Sequence, residues 1–165
     1  MKIGMNMFLW TTHVAREHET LLRDIKAAGF DGVEIPVFDG DAQHYRDLSR
    51  MLADIGLDCT AVTAMGDPSM NLIGSASERA KGLDHMRSVL DRTHALGARV
   101  ICGPLHSTLG HFTGVGPTAE EFERSVEVQR EIGAHAAGLD ITIALEALNR
   151  FECYLLNTMD GLAAH

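Results

Sequence analysis

The clearest chemistry in the chain lies in the stretch DITIALEALNRFE, residues 140–152. Ile141, Ile143 and Leu145 alternate as a buried strand does, and the run then ends on Glu146, with Glu152 close behind. Burying an unpaired carboxylate is expensive, so such groups are neutralised, paired or bound to a metal. A carboxylate at a strand end can hold a divalent cation or take a proton next to a carbonyl. The competing reading is a surface glutamate just past the strand. His106 and His111 sit in the loop PLHSTLGHFTGVGP and are candidates to touch a ligand. Glu34, inside an apolar run, is either a ligand contact or a satisfied core carboxylate. Trp10 is either the wall of a pocket or packing. Asp67 and Asn71 read as turn residues, and AEEFERSVE as the negatively charged start of a helix. The scattered histidines, among them His18, His44, His85, His94 and His135, read as structural or surface groups.

The elements that must position these residues repeat one frame. AAGFDGVEI (27–35), DIGLDCTAV (54–62), ALGARVICG (95–103) and AAGLDITIA (136–144) each carry a glycine followed by a β-rich run. Gly29, Gly56, Gly97 and Gly138 are placed where a helix ends, at a left-handed position that glycine fills cheaply. The runs after them read as strands buried on both faces. The segments before them carry apolar stripes of period 3.6: Leu21, Leu22, Ile25 and Ala28; Leu48, Met51, Leu52 and Ile55; Leu83, Met86, Leu90 and His94; Phe122, Val126, Gln129 and Ile132. Thr118 with Glu121 forms a capping-box pattern, and Ser77 is the expected cap of the third helix. The expected strands are 2–9, 32–38, 58–64, 98–103 and 140–147, with a further helix starting over 158–165.

Alternation of β and α predicts a parallel sheet with crossover helices. Loops after strands are long (65–77 and 104–117) and those after helices short, which places function at the carboxyl ends of the strands. The turn after the first strand, FLWTTHVAREHE, lacks the G-x-G-x-x-G of a doubly wound nucleotide fold. The remaining architecture is a (β/α)8 TIM barrel, which needs about 250 residues. With 165 residues the chain is expected to hold about five βα units of a single such domain, the N-terminal portion.

The net charge of −9 argues against nucleic acid as a partner. Cys59, Cys102 and Cys153 are odd in number and far apart, and read as buried thiols of a reducing, cytoplasmic compartment. No window approaches the roughly 20 apolar residues of a membrane helix, and MKIGMNMFLW is a poor signal peptide.

IALEALNRFECYLLNT resembles the E-x-x-N-R-F-E segment of the ketose 3-epimerases, the D-tagatose and D-psicose 3-epimerase family of metal-dependent sugar isomerases on the xylose isomerase-like barrel. The MKIGMNMFLW opening, the VEIPVF second strand and the GP turn after the fourth agree with that family in style. The resemblance implies that Glu146 is a metal ligand for Mn²⁺, Mg²⁺ or Co²⁺ and one of two carboxylates that exchange the proton at C3 of a sugar. It implies that Glu152 hydrogen-bonds the substrate near C1 and C2. His106 is carried as a substrate contact, and so is Asn6, which stands where the family often offers an aromatic ring. The family's other ligands, an Asp, a His and a second Glu, come from its sixth, seventh and eighth strands. The chain alone is therefore expected to be inactive or nearly so. Two other functions remain open: a hydroxypyruvate isomerase or inosose dehydratase-like enzyme on the same fold, and a non-catalytic half barrel. Open sheet edges predict self-association or a homo-oligomer.

Overall fold

The computed structural model describes residues 1–165. Five parallel strands, β1 (Gly4–Asn6), β2 (Gly32–Pro36), β3 (Asp58–Val62), β4 (Val100–Gly103) and β5 (Thr142–Leu145), form one sheet in chain order. Helices α1 (Glu19–Ala27), α2 (Ala42–Ile55), α3 (Ala76–Leu96) and α4 (Ala119–Gly138) alternate with them, and a short α5 (Met159–Ala164) follows β5. This is the five-unit arc of a (β/α)8 barrel, with strands shorter than their apolar runs suggest. The first run turns after Asn6 into a 3-10 turn at Met7–Leu9, because the Asn6 side chain caps the Phe8 amide.

The two faces of the sheet differ. Val33, Ile35, Ala61 and Ile101 are buried and join the helices in a single apolar core. The alternate face carries Asn6, Glu34, Thr60, Cys102, Thr142 and Ala144, which are half-buried or exposed. The strands are thus not buried on both faces: their second face is the barrel interior, and five strands do not enclose it.

Helices α1 and α2 bury residues of the stripes that the period suggests, Leu22 with Ile25 and Leu48 with Leu52, while α3 and α4 depart from theirs in part. In α3 the inward residues are Leu83, Met86, Val89, Leu90 and Thr93, while His94 is exposed. Thr93 tolerates burial because its hydroxyl donates to the Val89 carbonyl at 2.9 Å. In α4 they are Ser125, Val128, Ile132 and Ala136, not Val126 or Gln129. Thr118 and Glu121 form the expected capping box, but the cap of α3 is Ser75 with Glu78, not Ser77.

Three of the four repeated glycines take the left-handed conformation, with φ of 98° at Gly29 and 82° at Gly56 and Gly97. The fourth does not. α4 runs on through Gly138, and Asp140 adopts φ 57° instead. No helix is long and apolar enough to cross a membrane.

Candidate active face at the carboxyl ends of the strands

Glu34 lies on the interior face of β2, where three side chains meet its carboxylate. Asn6 Nδ2 donates to Oε1 at 3.0 Å. Thr60 Oγ1 and Cys102 Sγ donate to Oε2 at 3.2 and 3.1 Å. Donors from β1, β3 and β4 therefore satisfy an acid on β2, which removes the cost of its partial burial. Asn6 is committed at both ends of its carboxamide, since Oδ1 accepts the Phe8 amide at 2.7 Å. Burial first, and then the bond to Glu34 and the nearby carboxylates of Glu34 and Glu146, push the Cys102 thiol up to about 12.

Glu146 follows β5 in the same alternation as Thr142 and Ala144, so it continues the interior face. Its side chain is exposed. Its backbone is not free: the Glu146 amide donates to the Gly103 carbonyl at 3.0 Å. Its carbonyl accepts from His106 Nε2 at 3.2 Å. Gly103 sits at φ 140° with a Cβ position 2.0 Å from the Thr63 carbonyl oxygen, an approach that only glycine allows.

His106 is fully buried, at 0% exposure, and burial pushes its imidazole down to about 4. A carbonyl can only accept, so the ring carries its proton on Nε2, and Nδ1 accepts from the Ser107 hydroxyl at 3.0 Å. His111, by contrast, is half-buried farther along the same loop.

Glu152 ends a turn that Asn149 organises. Asn149 Nδ2 donates to the Glu152 carboxylate, Asn149 Oδ1 accepts the Phe151 amide at 2.9 Å, and the Asn149 carbonyl accepts the Glu152 amide at 3.1 Å. Asn157 closes the turn from below, donating to the Leu148 and Cys153 carbonyls at 2.8 and 2.9 Å. The Glu152 carbonyl accepts from the Gly110 amide at 2.8 Å, so the loop after β4 touches both acids through their backbone. In the sequence Asn149 and Asn157 have no role of their own, although the NRFE and LLNT segments contain them, and Cys102 reads as a buried thiol, whereas the structure leaves it half-buried against Glu34.

Around this face, the loops after β1, β4 and β5 expose Phe8, Leu9, Trp10, Phe112, Val115 and Phe151. Asp67 and Asn71 act as turn residues: Asp67 accepts the Ser69 amide, and Asn71 accepts the Ile73 amide and the Thr108 hydroxyl. No three histidine, cysteine, aspartate or glutamate side chains converge into a set that could hold a metal ion. The residues present therefore do not by themselves fit a divalent-metal centre, which wants about six oxygen ligands.

Residues 22–165 match the sequence pattern of the xylose isomerase-like TIM barrel family. The chain belongs to that family. Among relatives, the L-ribulose 3-epimerase of Mesorhizobium japonicum is 32% identical over 98% of this chain. A solved L-ribulose 3-epimerase superposes with a TM-score of 0.87 at 26% identity, over 99% of this chain and 56% of its own. D-psicose 3-epimerase from Clostridium cellulolyticum, solved with D-tagatose, gives 0.84 at 26% identity, over 98% of this chain and 57% of its own. The chain spans 55% of the length of the Mesorhizobium relative. The parallel five-strand arc is thus the N-terminal part of the family's barrel, and the relatives it matches are named as epimerases.

Proposed function

We propose that the protein is a sugar epimerase that inverts a ketose at C3 by proton exchange, with Glu146 as one of two acid/base carboxylates. The observation that carries this reading is the placement of Glu146: it follows the fifth strand on the interior face, in a chain 32% identical to an L-ribulose 3-epimerase. The C3 proton of a ketose is acidic because the C2 carbonyl lies next to it. One carboxylate removes that proton from one face, and a second returns a proton to the other. Glu152 holds the C1–C2 end of the sugar so that C3 stays within reach of Glu146. The 165 residues supply one such acid with an anchored backbone. The second acid/base belongs to the remainder of the whole protein, and so do any metal ligands that join Glu146.

Metal dependence, with Mn²⁺, Mg²⁺ or Co²⁺, is part of the proposal for the whole protein only. A divalent ion beside Glu146 would supply charge stabilisation at the sugar oxygens. What this chain contributes is independent of the ion: a carboxylate on a fixed peptide and a second carboxylate oriented by Asn149.

The test is incubation of the whole protein with ketoses in D₂O, reading deuterium at C3 and the epimer formed. Glu146→Gln should lower exchange by about 10²- to 10⁴-fold. A variant that exchanges as the parent does would overturn the role given to Glu146. If no ketose is epimerised, the function itself falls. The chain of 165 residues assayed alone should show little or no turnover, and measurable turnover would refute that expectation.

A further inference from the structure

The loop after β4 is buried where it leaves the strand. Leu105, His106, Ser107 and Thr108 are at most 2% exposed, an unusual depth for a loop that must satisfy three polar side chains as well as its backbone. α4 holds this loop from outside: Ser125 Oγ donates to the His106 carbonyl at 2.9 Å, and Gln129 donates to the Leu105 carbonyl. Because Ser125 gives its only hydroxyl proton to that carbonyl, His165 Nε2, 2.8 Å from Ser125 Oγ, is the donor in their contact. β3's loop holds it from the side, through the Leu109 amide on the Met65 carbonyl at 2.8 Å.

The loop so fixed reaches Glu146 twice. Gly103, where the loop leaves β4, takes the Glu146 amide, and the His106 ring takes the Glu146 carbonyl. Both backbone polar groups of one residue are thereby pinned by a single segment, and only side-chain torsions remain to Glu146. The ring cannot turn over without depriving the Glu146 carbonyl of this donor and leaving its own buried Nδ1 unpaired.

We propose that His106 is a positioning residue, which fixes the peptide of Glu146 through its Nε2 proton and so sets where the Glu146 carboxylate stands. The ring acts through Glu146 and does not contact the sugar. The inference rests on the reading of Glu146 as the reacting carboxylate.

Two variants isolate the Nε2 donor. His106→Gln carries an amide N–H at about the reach of Nε2, and His106→Asn carries one at about the reach of Nδ1, too short for Glu146. Amide hydrogen exchange on the 165-residue chain reads the result, with the amides of Glu146 and Leu148 as local reporters and those of β2 as reporters of global opening. In His106→Asn, Glu146 and Leu148 should exchange about tenfold faster while β2 stays within about twofold. His106→Gln should restore the Glu146 rate to within about threefold of the parent. Equal rates at Glu146 in the two variants would overturn the proposal. So would a common acceleration across the sheet, or failure of both variants to fold, since either makes His106 a stability residue without a separable hold on Glu146. In the epimerising whole protein the same pair should split kcat from KM, with Asn lowering kcat about tenfold and leaving KM within about twofold. If Glu146→Gln leaves epimerisation intact, the functional reading fails, while the exchange measurement still decides whether His106 holds Glu146.

Discussion

Burial decides the chemistry of the three thiols. It pushes Cys59 up to about 11 and Cys102 up to about 12, and it raises Cys153 as well. A thiol reacts as thiolate, so alkylation of Cys59 and Cys102 should be slow at neutral pH and climb about tenfold per pH unit as far as about pH 11. Mass-spectrometric labelling with iodoacetamide, native against urea-unfolded, checks this; fast native labelling of Cys102 at pH 7 would show that its thiol is not held against Glu34. The two acids after β5 were legible in the sequence because the segment that carries them is contiguous. Glu34 was legible only as an ambiguity, since its three donors lie on three other strands and no local pattern announces them. The bond from His106 to Glu146 spans 40 residues and exists only once the loop after β4 is buried, so sequence could place the histidine on the right face but not name its partner.

The βα units show how far a repeated frame can be trusted. Alternating elements, the parallel sheet and the long loops at the carboxyl ends were all readable, because periodicity and glycine placement are local signals. Which helix face turns inward was less so. Thr93 and Ser125 are buried in place of apolar neighbours because their hydroxyls find carbonyl partners, a condition that hydropathy does not see. The glycines divide in the same way. Gly56 is left-handed and ends α2, so Gly56→Ala should destabilise by about 1 kcal/mol. Gly138 lies in the last turn of α4 with open space around its Cβ position, so Gly138→Ala should stabilise by up to about 0.5 kcal/mol. Urea midpoints of the two variants test the contrast, and a loss of stability in both would restore Gly138 to the role that the frame assigned it.

As a molecule, the arc leaves β1 and β5 each with one unpaired edge and leaves the interior face uncovered. Such edges template further strands, and the exposed apolar loops add to the tendency. The chain should therefore self-associate, and sedimentation over a range from about 1 to 100 µM should show a mass above the 17.9 kDa of one chain that grows with concentration. A monomer throughout would mean that the short edges and the polar interior suffice to keep copies apart. The strand order also bears on how the chain is made. Every strand from β2 onward pairs with the strand that precedes it in the chain, and β1 has its partner as soon as β2 appears. Contacts between neighbours in sequence close small loops and form early. A ribosome delivers the units in that same order. Each new strand and helix can then dock on a surface already standing, so the sheet can grow from one end during synthesis without any strand waiting across the molecule for a distant mate.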